Sequence, residues 1–211
     1  MTGPRPKSRT MRKLIRYVFA LMAIALVSAA VADAALACAC CTNPGQRYVE
    51  VVQLDSGRRD EIESLRFGKS AELYVGEAGV EIVQGIATPS ERYDLDVKWE
   101  NGHTKFALRD EAGHEGTLTL AVPDKITIFE IDPRDSPGQG TGPTLYKEWK
   151  LTGRVTGAGV FNTGSEGKPL LTLILQGRGN SCTSAADFTH WTLVMQGEKG
   201  NYTLFGALGK P

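Results

Sequence analysis

Residues that commonly announce chemistry are scarce in this chain. It has three histidines in 211 residues, His103, His114 and His190, and no Cys or His pair recurs at zinc-finger spacing, which excludes a finger-type metal module. No Gly-x-Ser-x-Gly elbow occurs, so the usual sequence mark of an α/β-hydrolase nucleophile is missing. Helical periodicity is confined to one short stretch, and a long apolar run appears only near the start. Basic charge is scarce as well once that start is set aside. Of 24 basic and 24 acidic residues, six basic ones and Asp33 precede Cys38, leaving 18 basic against 23 acidic residues and a net charge of about −5. No basic patch remains, so nucleic acid and anionic lipid surfaces are poor partners.

The first 37 residues read as an export signal. Arg5, Lys7, Arg9, Arg12, Lys13 and Arg16 stand with no acidic residue among them, and residues 17–32 are apolar apart from Ser28. Two small-x-small sites follow, Ala32-Asp33-Ala34 and Ala35-Leu36-Ala37, the pattern that signal peptidase accepts. A cleaved signal peptide over 1–37 is expected, with the mature chain, 38–211, folding as one domain in the periplasm or outside the cell. An uncleaved anchor and lipidation of Cys38 are the alternatives. Membrane contact is expected only through the leader or such a lipid. About 170 mature residues bury roughly 70% of their unfolded surface, enough for a core without covalent staples.

Glycine and proline are plentiful, 24 and 10 residues, and they punctuate short segments of period-two alternation. Tyr93, Leu95, Val97 and Trp99 share one face against Asp94, Asp96 and Lys98. Asn101-Gly102 is a two-residue hairpin turn. Phe106 and Leu108 form the return strand, and Leu118 to Val122 and Ile126 to Ile131 continue an antiparallel meander. The step from Ile128 to Phe129 breaks the alternation and predicts a bulge or a change of face. A Pro/Gly-rich loop spans 133–143. Further strands are expected at 48–54, 71–75, 80–84, 145–155, 170–175, 191–196 and 202–208, and one short helix at 60–65. The expected fold class is all-β, an antiparallel sandwich or small barrel with one short helix.

Cys38, Cys40 and Cys41 cluster at the expected mature start, and Cys182 stands alone. In an oxidising compartment such thiols form disulfides. Adjacent Cys40 and Cys41 bridge only with strain, so geometry favours Cys38 with Cys41 and Cys40 with Cys182. The alternative is a soft-metal site in which the four thiolates hold copper or zinc, with His190 as an additional ligand. A redox dithiol at Cys38 and Cys41 fits less well, because such a pair normally opens a helix that lowers its pKa.

The densest polar stretch is 176–191, read as a long loop between two strands. It carries Arg178, Asn180, Asp187 and His190 as binding candidates. A functional reading makes Arg178 an anion contact and Asp187 with His190 the acid-base pair of a hydrolase; the plainer reading is local turn bonding with Cys182 stapling the loop. Trp99, Trp149 and Trp191, with Tyr146 and Phe161, are expected in the core, the sharper alternative being a stacking surface for sugar or another flat ligand. The leading expectation is an exported binding or interaction protein with no catalysis and no cofactor, recognising a small ligand or an envelope protein.

Overall fold

The computed structural model describes residues 45, 47–76, 83–133, 145–179 and 184–209. The expected leader, all four cysteines, Asn180 and most of the Pro/Gly-rich stretch lie outside these residues. Eleven strands and one α-helix occur among the described residues: β1 (Arg47–Gln53), α1 (Ser56–Ser64), β2 (Arg66–Phe67), β3 (Ser70–Leu73), β4 (Arg92–Glu100), β5 (His103–Arg109), β6 (Glu115–Ala121), β7 (Lys125–Ile131), β8 (Leu145–Gly159), β9 (Leu170–Gly179), β10 (Phe188–Gln196) and β11 (Asn201–Gly209).

Of the two expected architectures the chain adopts the barrel, closed by eight antiparallel strands with one helix. The ring runs β8-β6-β5-β4-β3-β11-β10-β9 and returns to β8. β8 closes it by being 15 residues long. One of its edges pairs with β9 from Leu145 to Arg154, while the other pairs with β7 over Tyr146 to Lys150 and with β6 over Val155 to Gly159. β7 therefore leaves the ring and, with β1 along its far edge, forms a two-stranded ribbon. Gly153 lies at the handover. A Cβ there would collide with the carbonyl oxygen of Ala121, the last residue of β6, so the close approach that lets β6 replace β7 requires glycine.

Alternation decides what fills the interior. Leu171, Leu173 and Leu175 of β9 and Trp191, Leu193 and Met195 of β10 are all at most 1% exposed, and each inward leucine contributes about 1.5–3 kcal/mol on burial. At the end where β8 stops, Phe161 is fully buried between Tyr93 and Tyr202, with ring centroids 5.9 Å away from each. At the opposite end, α1 buries Ile62, Leu65 is buried just after it, and Phe67 follows with its ring 5.9 Å from Phe106 and 5.8 Å from Trp191. Asn101 and Gly102 both take positive φ, as the expected hairpin turn demands.

Three expectations are corrected. The helix begins at Ser56 rather than residue 60, because the Asp55 carboxylate accepts from the Arg58 backbone N–H at 2.9 Å and caps it. No bulge interrupts β7: its register with β1 is continuous, with Ile126, Ile128 and Glu130 inward and Phe129 outward. The outer face of β7 tolerates apolar residues because Phe129 stands across from Val49 and packs edge-on against Tyr146. Residues 176–191 are not one long loop: Gln176 to Gly179 complete β9 and Phe188 starts β10, with a short 3-10 turn at Ala185–Asp187 between them. Glycines at 177 and 179 permit this, since a Cβ at either would strike Asp187. The shift in register falls here, between Phe188 and His190. Of the strand expected at 80–84, residues 80–82 lie outside the described residues, and Gln84 makes an isolated bridge to Asn201.

Gly153→Ala is expected to destabilise the barrel by about 1–3 kcal/mol, because the new methyl must displace a strand end. Urea unfolding of the two proteins, compared at their midpoints, measures this.

Candidate functional site

The expected polar segment divides between the two faces of the barrel wall. Asp187 points inward. Its Oδ2 accepts from Lys147 Nζ at 2.6 Å, and the same ammonium lies 3.4 Å from the Ser184 carbonyl oxygen. Lys147 is only 1% exposed. Glu130, 2% exposed, is its cross-strand neighbour on β7. Burial pushes the Glu130 carboxyl above the usual carboxylate range, and the Lys147 charge draws it partly back. Glu130 Oε2 makes no hydrogen bond. Glu61 of α1 braces the turn from the other side by accepting from the Ala185 backbone N–H at 2.7 Å.

His190 and Arg178 belong to the outer face. His190 stands across from Gln176 in the β9–β10 register, and its Nδ1 is 2.9 Å from Thr189 Oγ1. Arg178 is exposed and stands across from Tyr146. Burial, then the hydrogen bond and charge of Glu148, raise the Tyr146 hydroxyl pKa, and Arg178 opposes them. The Asp187 carboxylate thus spends its bond on Lys147, and His190 is oriented by Thr189. The sequence places the two three residues apart, but the structure gives them separate partners.

The other histidines stand beside turns, His103 as the first residue of β5 and His114 just before β6. His103 Nδ1 is 3.0 Å from the Asn101 carbonyl oxygen, and the His114 ring sits 2.8 Å from Asp110. Trp149 and Trp191 are each 1% exposed and Phe161 is buried, as expected of core aromatics, whereas Trp99 is partly buried against the core and Tyr146 stands on the outer face. Among the described residues no three His, Cys, Asp or Glu side chains are grouped so as to hold a metal ion; the cysteine candidates fall outside those residues.

Two concave surfaces indent the outer wall. The larger, of about 570 Å³, has small residues on its floor, Ala107, Thr117 and Ala158, with Asp94, Asp96 and the Arg109–Glu115 ion pair around them. The smaller, of about 340 Å³, opens across β9, β10 and β11 toward Tyr74 just after β3, and includes Gln176 and His190. Sequence reasoning missed Lys147, Glu130, Tyr74 and Phe205. A signal existed for the first two: Lys147 falls in the inward alternation Leu145, Lys147, Trp149, Leu151, and Glu130 in Ile126, Ile128, Glu130. No periodicity marks Tyr74 or Phe205, because an outward aromatic acquires a partner only when strands distant in sequence meet.

The chain matches no family model, no curated protein and no solved structure. Its site is therefore read from its own geometry.

The two carboxylates around Lys147 respond oppositely to removal. Asp187→Asn removes one charged hydrogen bond from the buried Lys147 ammonium and is expected to destabilise by about 1–3 kcal/mol in unfolding free energy. Glu130→Gln is expected to stabilise at neutral pH. A carboxyl whose folded pKa is raised keeps the folded state favourable while protonated, below the ordinary range near about 4, and weakens it as pH rises through the raised value. The advantage of Glu130→Gln over the natural protein should therefore grow between about pH 4 and pH 7, which denaturant titrations at the two pH values would show.

Proposed function

We propose that this chain is an exported binding or interaction protein of the cell envelope, in the periplasm or outside the cell, with no catalytic activity of its own. One observation carries the reading. Among the described residues the barrel interior is packed with buried side chains, and two concave surfaces with volume for a ligand lie on the outer wall. Binding surfaces built on rigid strands suit recognition, and both grooves fall within the size range of small-ligand sites, about 300–1,000 Å³. The segment first read as a hydrolase loop directs its aspartate to a structural lysine, which supports binding over catalysis.

The proposal includes the disulfides Cys38–Cys41 and Cys40–Cys182. Described residues flanking the cysteines support it. The Gly45 backbone N–H donates to the Asp132 carbonyl oxygen at 2.7 Å, Ile131 pairs with Tyr146, and Leu145 pairs with Gly179. The described residues nearest the cysteines, Gly45 and Gly179, thus lie at one end of the sheet, with β7 and β8 between β1 and β9. Three strand spacings of about 4.8 Å separate β1 from β9, and three to five residues of extended chain on each side, at about 3.3 Å per residue, span that gap. A bridge closing a loop of this length contributes about 4–5 kcal/mol in the chain-entropy model.

The test is the intact mass of the protein isolated from its own envelope, measured natively and after denaturation, with and without reductant. The expected result is a chain starting near Cys38, about 4 Da lighter than its reduced form and holding no ion. Four free thiols with a copper or zinc ion that departs on denaturation would replace this reading with the soft-metal one. An ester or amide hydrolysis abolished by His190→Ala would end the non-catalytic reading.

A further inference from the structure

The smaller groove combines two kinds of surface. On one side are rings: Tyr74, whose backbone N–H donates to the Thr203 carbonyl oxygen at 2.9 Å, is 46% exposed, and Phe205 stands outward on β11 across from Thr192. On the other side are polar ends held in place. The Tyr146 hydroxyl donates to Glu148 Oε1 at 2.5 Å, and the Gln176 amide lies beside it with its Oε1 3.1 Å from the same hydroxyl. His190 uses Nδ1 toward Thr189, leaving Nε2. Thr192 and Thr203 add hydroxyls between the two sides. Among the described residues, no Asp, Glu, Lys or Arg lines the groove.

We infer that this groove binds a neutral saccharide, one sugar ring stacking on Tyr74 and Phe205 while its hydroxyls bond to Gln176, His190 and the two threonines. The inference rests on the binding-module reading and gives it a ligand class. Each feature excludes an alternative. A charged ligand would find no Asp, Glu, Lys or Arg in the described lining, the neighbouring Glu148 being bonded to Tyr146 and Lys150. A purely apolar ligand would bury the Gln176 amide and the threonine hydroxyls without partners, at about 1–3 kcal/mol each. A sugar ring offers C–H faces to the aromatic side and hydroxyls, both donor and acceptor, to the polar side. A volume of about 340 Å³ is at the small end for ligand sites and suits one or two rings, not a long chain.

The experiment titrates the full mature chain, followed by NMR, with maltotriose, cellotriose and tri-N-acetylchitotriose, and with adenosine as a flat aromatic control. The expected result is saturable binding of at least one saccharide, weakened at least about tenfold by Tyr74→Ala and by Gln176→Ala, with amide dispersion in both variants showing that the barrel is folded. Tyr74 is exposed, so its truncation removes a contact surface and leaves the core intact. Binding of none of the saccharides, or binding that Tyr74→Ala and Gln176→Ala leave undiminished, overturns the inference. If adenosine binds, is lost in Tyr74→Ala, and no saccharide competes, the ligand class is wrong and the binding-module reading stands. Shortening of a trisaccharide during the titration would instead bring down the non-catalytic reading.

Discussion

Barrel closure rests on β8, which pairs with three strands along two edges. A strand has only one donor-acceptor row on each edge, so a third partner is possible only if two share an edge end to end. β8 is long enough for this, and Gly153 provides the point where one partner gives way to the next. The ring geometry on one side of that point and the ribbon on the other follow from this single strand. So does the position of Lys147, which faces inward on the half of β8 flanked by the ribbon and by β9.

Burying that lysine is a local disadvantage with a global use. An ammonium withdrawn from water is tolerated because Asp187 bonds to it directly and Glu130 lies beside it. Around it, inward and outward positions alternate strictly, Leu145 and Trp149 inside, Tyr146 and Glu148 outside. A slip of one residue in the β8 register would carry Lys147 to the surface and force Glu148 into the core. The charge cluster therefore selects one register for the strand that closes the ring, and it ties the turn before β10 to the ribbon. The same register sets Tyr146 and Glu148 outward beside Gln176 on the outer wall, so it governs both faces.

The meander from Tyr93 to Ile131 was legible because each of its strands has one solvated face, which preserves a clean alternation, and because Asn101-Gly102 specifies its turn by backbone conformation alone. The choice of barrel over sandwich was not legible. It depends on β8 pairing with both β6 and β9, a fact of register between distant segments that leaves no mark in either. Glu130 shows why the β7 reading failed: alternation judged by hydrophobicity breaks wherever an inward position is charged and an outward one is aromatic. In the candidate site, sequence located Arg178, Asp187 and His190 in one stretch, but strand alternation sends Asp187 to one face and the other two to the opposite face. Their proximity along the chain misled because two glycines extended the strands into what composition marks as loop.

The ribbon also bears on the order in which this protein assembles. Among the described residues β1 is the first strand, and its partner in the sheet is β7, with Arg47 matched to Ile131 and Gln53 to Lys125. Hairpins such as β4–β5 close within a few residues, whereas β1 must wait until some 80 residues have emerged, and long-range closure of that kind is slow. Val49 and Val51, each more than 60% exposed even in the finished fold, remain an unpaired strand during that interval. The strand nearest the start of the described chain thus pairs only after β7 is made, and whatever is attached ahead of Arg47 stays tethered to open chain until it does.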